Sequence, residues 1–510
     1  MNDCVLINPR SITFTKAQAE APYLYAGLLS IGSLLRSRGW GATILDMVVE
    51  EDPLEALALA AAGERAPLLF GLSVMTTQVP HAIELSRVIR ERWPRSTIVW
   101  GGIHPSLFPE EVLREGVADC VCTGEGEFTA LELLMALRDG TDRGAVKGLC
   151  FLDAGALVRT GTRPPAPLDD FPHLDYSLVR YPRYRDRIVS RGEETLAVRF
   201  GIVVTGFGCP YRCAFCINSN RKLFFGTYRR KSPRRIVDEI ERLMREHGVD
   251  FFDFIDENFF VSRAHVEAFA DEVERRGLAF RWFTNIRADA IARGIADAGL
   301  FARLARIGLY RLAIGAESGA QTVLDKLKKD IRVEQIPQSV EQITRAGIGV
   351  TCSFMMGTPG ERREDLMATL ALIERLRSLG STVSIIGPQI FRPYPGGELY
   401  EECIEKYGYR PPQTLAEWGA VVDQLSGFES VDKLPWIEDR ALLERISFSL
   451  EFVNLSVASL KVGAARRAAL RLMQLISRLR LRLGFWSFPV EMAAVLLVKR
   501  LRRRAGRSGG

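Results

Sequence analysis

The sequence predicts an α/β protein built from two successive βα arrays and a helical extension. Three observations carry that prediction: short apolar runs alternate with amphipathic stretches over 4–123, the same rhythm resumes at Thr195, and a proline-dense, acidic stretch over 164–184 lies between. Strands alternating with helices form parallel sheets whose ligands sit at the carboxyl ends of the strands. With 510 residues, 47% of them hydrophobic and 25% charged, the composition is that of a globular chain able to bury several cores. The expected organisation is a doubly wound, Rossmann-like domain over 1–145, a linker over 146–194, a partial (βα)6 barrel over 195–400, and a helical extension with a basic amphipathic tail over 401–510.

In the first array, strands are expected at 4–8, 42–46, 68–74, 97–102 and 119–123, with helices at 23–38, 81–90 and 109–115. Unusual residues collect after the last three strands: Gly71-Leu72-Ser73-Val74-Met75-Thr76-Thr77, Gly101-Gly102-Ile103-His104-Pro105 and Thr123-Gly124-Glu125-Gly126-Glu127. Glycines let a ligand approach the backbone, and amides at helix starts suit phosphate. Each run alone is more often a plain turn. His104 reads as a surface or supporting residue.

The prolines of 164–184 remove backbone donors and forbid a regular helix, which marks a connection. Beyond it, strands are expected at 202–205, 251–256, 281–285, 311–315, 349–356 and 382–388, with helices at 232–246, 262–276, 320–328 and 333–346. Six such units make an open β/α barrel, whose site residues lie at strand carboxyl ends. Those ends carry Asp256-Glu257-Asn258, then Thr284, Asn285 and Arg287, then Gly315-Ala316-Glu317-Ser318-Gly319, then Gly357-Thr358-Pro359-Gly360-Glu361, then Pro393-Tyr394-Pro395-Gly396-Gly397. Each carboxylate also fits a solvated loop residue, and Glu361 fits a helix-start cap equally well.

The most informative stretch is Gly208-Cys209-Pro210-Tyr211-Arg212-Cys213-Ala214-Phe215-Cys216, which holds three of the nine cysteines. Thiolates at this spacing converge from one loop onto one face of an inorganic cluster. A closed zinc site wants four ligands, and no fourth cysteine is near. The plainer alternative is three reduced cysteines in a tight loop with occasional zinc.

This loop resembles the cluster motif of the radical S-adenosylmethionine (SAM) enzymes, with Phe215 at the aromatic position before the last cysteine. The resemblance implies that Cys209, Cys213 and Cys216 hold a 4Fe-4S cluster whose fourth iron SAM chelates. An electron from the cluster then splits SAM, and the resulting 5′-deoxyadenosyl radical takes hydrogen from a substrate. The same resemblance implies SAM contacts from Phe215, Asn258, Arg287, Glu317, Ser318, Gly357 and Pro359, and a flavodoxin or ferredoxin as electron donor. The first array looks like the cobalamin-binding domain of one branch of these enzymes, which implies cobalamin contacts from Ser73, Val74, Thr77, Gly101, Gly102, His104, Gly124, Glu125 and Gly126. It lacks the Asp-x-His-x-x-Gly run of other corrinoid domains, so the lower face of cobalt is expected without a histidine.

The activity so implied is methyl transfer to an unactivated carbon of a small molecule or lipid. Radical ring modification with the same cofactors is the second reading, and a non-catalytic corrinoid carrier the third. Cysteines without regular pairing and the opening Met1-Asn2-Asp3-Cys4-Val5 suggest a reducing, cytoplasmic setting. The isolated cysteines, Cys4, Cys120, Cys122, Cys150, Cys352 and Cys403, read as buried thiols.

Residues 461–510 carry 13 Lys and Arg against the single acid Glu491, although the whole chain is only +6. The body is therefore net acidic and does not suggest a nucleic-acid binder. Over 464–483, Leu472, Met473, Ile476, Leu479 and Leu483 fall on one face, with Arg467, Arg471, Arg478 and Arg482 on another. Phe485-Trp486-Ser487-Phe488, the apolar run 490–498 and the basic run 499–504 follow. That run is too short to span a bilayer. Peripheral contact with an anionic membrane and a helix packed on the enzyme with a solvated basic end are equally compatible with this pattern.

Overall fold

A computed structural model of the chain describes residues 2–11, 22–63, 65–191, 194–220, 228–419, 434–454, 463–487 and 491–492. Its first sheet contains β1 (Cys4–Asn8), β2 (Ala42–Asp46), β3 (Leu69–Ser73), β4 (Thr97–Gly101), β5 (Cys120–Cys122), β6 (Leu149–Asp153) and β7 (Ala156–Arg159). The order is β2-β1-β3-β4-β5-β6-β7, parallel through β5. The order reverses between β1 and β3, which opens a crevice at their carboxyl ends.

Both sheet faces are covered, so β1 is buried along its whole length. Leu6, Leu69 and Val99 face the helices Ala26–Ser37 and Glu127–Asp139, and Val5, Phe70 and Ile98 face Pro53–Ala60 and Val79–Arg92. Asp52 starts one of these helices by accepting from Leu54 N and Glu55 N, both at 3.0 Å, with Pro53 in the first turn. The sheet runs past residue 145, because the hairpin β6–β7 pairs antiparallel with β5.

The second sheet contains β8 (Asp186–Arg191), β9 (Glu194–Val203), β10 (Phe251–Phe254), β11 (Arg281–Ile286), β12 (Leu309–Glu317), β13 (Gly349–Met356) and β14 (Val383–Ile390). Strands β9 to β14 are parallel, and β8 adds an antiparallel edge. Residue 194, expected to end the linker, therefore lies inside the β8–β9 hairpin, and residue 400 lies inside the helix Glu398–Tyr407.

Period-two alternation decides what each face meets. Phe254 and Trp282 point to the outer helices and stack with ring centroids 4.8 Å apart, while Phe251 meets Phe283 and Tyr310 on the inner side. The helix Pro233–His247 shows why these stretches coil: Ser232 caps Arg235 N at 3.3 Å, Ile236, Val237, Ile240 and Leu243 form the buried stripe, and Gly248 ends it at φ +64°.

Two tyrosines lock the sheets together. Tyr184 Oη donates to Asp46 Oδ2 at 2.7 Å, and Tyr23 Oη donates to Asp253 Oδ2 at 2.6 Å. Burial pushes the Asp253 carboxyl up to about 6 against that hydrogen bond and the nearby Arg187 charge.

The helices Arg440–Asn454 and Ala464–Leu483 pack together beyond the second sheet. The six isolated cysteines are buried. Of the expected tail, 488–490 and 493–510 fall outside the described residues. Among the described residues, no helix is long and apolar enough to cross a membrane.

Candidate active site

The chain leaves β9 at Val203, and the cysteine loop begins at Gly208, whose φ of +79° favours glycine. Two backbone bonds fix its middle: Ala214 N donates to Leu327 O at 2.8 Å, and Ala214 O accepts from Leu399 N at 2.9 Å. Cys213 is buried, and Cys209 and Cys216 are partly exposed. Burial pushes the Cys209 thiol up to about 11, and the neighbouring Cys213 and Cys216 add repulsion. Such thiols ionise readily only beside cationic charge, which an iron-sulfur cluster supplies. Among the described residues, no three His, Cys, Asp or Glu side chains close on a single metal ion. The three thiols suit a cluster, in which each sulfur takes its own iron.

Basic groups stand around the loop. The Arg287 guanidinium lies 3.8 Å from the Tyr211 ring centroid, its Nη1 is 3.9 Å from Cys213 Sγ, and its Nε donates to Asp289 Oδ1 at 3.0 Å. Arg287 also donates to the carbonyl of Lys329. Lys329 Nζ, 5.8 Å from the Phe215 ring centroid, donates to Glu317 Oε1 at 2.8 Å. Glu317 sits at φ +62° where the β12–β13 register slips, so the strand end bends its carboxylate toward the loop.

One cavity of about 430 Å³ joins the two sheets. It runs as a slot between the first sheet and the helices Ala26–Ser37 and Glu127–Asp139, and opens at Val204, Phe207, Asn218 and Glu257. Small residues keep the slot open: a Cβ on Gly71 would stand 3.0 Å from Leu6 Cδ2, and one on Gly126 would stand 2.8 Å from Ile31 Cδ1. Glu125 pairs with Arg229 at its edge, tying the loop after β5 to the short ribbon of Gly206–Phe207 and Arg229–Arg230 across the opening.

Two family models match the chain: the B12 binding domain over residues 13–134 and the radical SAM superfamily over residues 203–373. The chain belongs to the radical SAM superfamily and carries a B12-binding domain. It is 31% identical to the anaerobic magnesium-protoporphyrin IX monomethyl ester cyclase of Cereibacter sphaeroides over 68% of this chain, a match that spans only 55% of the cyclase. It is 25% identical to the cytidylyl-2-hydroxyethylphosphonate methyltransferase of Streptomyces wedmorensis over 81% of this chain and 83% of that protein. In fold it is similar to the cobalamin-dependent S-adenosylmethionine radical enzyme OxsB solved with aqua-cobalamin and SAM bound, with a TM-score of 0.69, 17% identity, and coverage of 99% of this chain and 75% of that one.

The cofactors of this radical SAM protein are those of its domains, a 4Fe-4S cluster, SAM and cobalamin. Of the residues expected at cobalamin, Ser73, Gly101, Gly102, Gly124, Glu125 and Gly126 line the slot. Val74, Thr77 and His104 do not border it. Val74 instead knits two loops, its N donating to Gly101 O at 2.8 Å and its O accepting from His104 N at 3.2 Å. Thr77 lies in the short turn Thr76–Gln78. His104, expected at the surface or in support, is fully buried between the rings of Phe108 and Trp418, with centroids 5.2 and 5.4 Å away. Burial lowers its pKa to about 3, so the imidazole is neutral. Trp418 arrives from the extension, more than 300 residues downstream, which is why sequence spacing gave no hint of the burial.

Among the residues expected at SAM, Arg287 and Glu317 crowd the loop as described, whereas other side chains are occupied locally. Asn258 Oδ1 accepts from Phe260 N at 3.2 Å. Ser318 Oγ is 2.9 Å from Thr369 Oγ1 and accepts from Ala320 N at 3.1 Å. Glu361 Oε2 accepts from Thr358 N at 3.1 Å and from Gly357 N, so it closes the loop rather than capping the helix Arg363–Arg377. The start of that helix is held by Asp365 Oδ2, which accepts from Arg362 N at 3.0 Å. Gly357 O accepts from Trp436 Nε1 at 2.8 Å, so the extension braces the loop that carries Gly357 and Pro359.

Sequence reasoning missed Lys329, Asp289, Arg229, Asn218 and Lys231. Lys329 shows why: its partner Glu317 lies 12 residues upstream, and only the fold of the loop brings them together. It lies between Lys328 and Asp330, whose φ values of +50° and +54° mark a sharply folded loop.

Proposed function

We propose that this protein is a cobalamin-dependent radical SAM methyltransferase acting on an unactivated carbon of a small-molecule or lipid substrate. The observation that carries the reading is one continuous cavity, bordered at one end by Gly101, Gly102 and Gly124 and at the other by Asn218 and Glu257, beside the cysteine loop. When bound, the cluster and SAM supply a carbon-centred radical that removes hydrogen from substrate, and cobalamin supplies the methyl group.

The chain's own residues bind and orient. Cys209, Cys213 and Cys216 hold the cluster, with Arg287 and Lys329 placing positive charge beside it. Glu317, with Phe215, Asn258, Ser318, Gly357 and Pro359 shaping the surrounding surface, positions SAM. Ser73, Gly101, Gly102, Gly124, Glu125 and Gly126 border the corrinoid, with Val74, Thr77 and His104 supporting the loops beneath them. The first domain extends over the hairpin to Arg159. Electrons come from a flavodoxin or ferredoxin, and the carboxyl-terminal segment rests on the inner face of the membrane.

Similarity to the phosphonate methyltransferase over most of both chains supports methyl transfer. Similarity to the cyclase favours ring modification as the second reading. Anaerobic turnover of a candidate substrate discriminates the two by mass spectrometry. Methyl transfer yields 5′-deoxyadenosine, S-adenosylhomocysteine and a product heavier by one methyl in place of hydrogen. Product formation with 5′-deoxyadenosine alone would exclude it.

A further inference from the structure

The helix Ala464–Leu483 has two unlike apolar faces, of which only one meets the enzyme. Its enzyme-facing side includes Leu481, which joins the core, with Ser477 and Arg480, all three buried. Arg480 is held by Glu491, with Nε to Oε1 at 2.5 Å and Nη2 to Oε2 at 2.9 Å, and its Nη1 donates to the carbonyls of Phe485 and Ser487, both at 3.0 Å. Gln474 Nε2 donates inward to Phe452 O at 3.1 Å.

The opposite side carries Leu472, Leu475, Leu479 and Leu483, exposed by 57%, 56%, 47% and 71%, followed by Phe485 at 53%. At 3.6 residues per turn these leucines fall within an arc of about 80°, with Arg471, Arg478 and Arg482 along one border of it. A helix that already buries Leu481 against the enzyme and still keeps four further leucines and Phe485 exposed along one arc is shaped for an apolar phase, not for water.

The charge around the arc identifies that phase. Residues 461–510 contain 13 Lys and Arg and no acid except Glu491, which Arg480 neutralises. We infer that this face docks on an anionic lipid bilayer, with the four leucines and Phe485 entering the boundary between headgroups and acyl chains and Arg471, Arg478 and Arg482 lying among lipid phosphates. A second copy of the chain is disfavoured as occupant, because self-association would bring two basic borders together. The inference gives the peripheral reading above its surface and its lipid class, and it does not depend on methyl transfer.

Flotation of the full-length protein with vesicles tests it. Vesicles of phosphatidylethanolamine with phosphatidylglycerol are expected to carry the protein up the gradient, and pure phosphatidylcholine to carry about tenfold less. L472S/L475S/L479S is expected to lower binding about tenfold or more at an unchanged melting temperature, since these side chains face outward. R471Q/R478Q/R482Q is expected to lose about fivefold per charge at low salt and to flatten the salt dependence.

Equal flotation of the leucine variant, or equal flotation on both lipids, would overturn the inference. So would a concentration-dependent dimer in sedimentation that the leucine substitutions abolish. Vesicle binding by a protein that forms no methylated product would uphold this surface and remove only the reading of the chemistry.

Discussion

Arg287 joins the cysteine loop to the third strand end of the barrel, its guanidinium 3.8 Å from the Tyr211 ring centroid and its Nε 3.0 Å from Asp289 Oδ1. Asp289 is only 3% exposed, so R287A leaves a buried carboxylate with a weakened partner set and is expected to destabilise the fold by about 3–5 kcal/mol. R287K keeps charge but not planar stacking, and should fall between the two. Thermal unfolding, with iron counted after anaerobic reconstitution, checks both.

Cys213→Ala should abolish cluster assembly and SAM cleavage while leaving secondary structure intact. The absorbance of the reconstituted protein and release of 5′-deoxyadenosine are the readouts. A variant that still produces 5′-deoxyadenosine at the normal rate would remove the cysteine assignment.

Glu317 and Lys329 are both buried and 2.8 Å apart. Each single change, E317Q or K329M, is expected to lower stability by about 3–5 kcal/mol, whereas the double variant should recover a large part of that loss. E317Q should also weaken SAM binding about tenfold, because a carboxylate hydrogen bond to a charged group is worth about 1.5–3 kcal/mol. Calorimetry with the reconstituted protein separates the two effects.

Filling the slot should block the corrinoid alone. Gly71→Val places branched carbons where even a lone Cβ would stand 3.0 Å from Leu6 Cδ2. Overpacking of this kind costs about 1–3 kcal/mol of stability. Cobalamin binding measured by absorbance should fall more than about tenfold by that argument of volume, with iron content unchanged.

The Tyr23–Asp253 contact predicts a pH signature. Burial raises the Asp253 carboxyl from its ordinary 3.8 to about 6, so the folded chain holds a proton that the unfolded chain releases. Its contribution is therefore most favourable below pH 4 and is lost as pH rises through 6, by at most about 3 kcal/mol. D253N, which keeps an acceptor for Tyr23, should remove that slope between pH 4 and 6 in melting temperatures. An identical slope in the variant would assign the effect elsewhere.

Much of this architecture is legible because it is local. Five strands of the first sheet and five of the second follow from apolar runs and helical stretches in alternation, a pattern written in neighbouring residues. The first barrel strand, expected at 202–205, instead runs over Glu194–Val203 because it pairs with the β8 edge. The cysteine loop is legible for the same reason, since its three thiols lie within eight residues. The hairpin β6–β7 lies in the stretch expected to be linker and was not legible, because pairing with β5 rather than local pattern joins it to the first sheet.

Chain pattern alone thus determined the two βα arrays, the cysteine loop and the glycine-rich strand ends, because periods of 2 and 3.6 residues and closely spaced cysteines are short-range properties. Tertiary structure alone decided that Lys329 meets Glu317, that Arg229 reaches across to Glu125, that Trp418 seals His104 inside, and that the helix Ala464–Leu483 buries Leu481 but turns four other leucines outward. Periodicity defines the faces of a helix or strand, but what each face meets depends on packing between segments far apart in the chain, and that packing is what gathers charges, closes a slot around glycines, or leaves an apolar face uncovered.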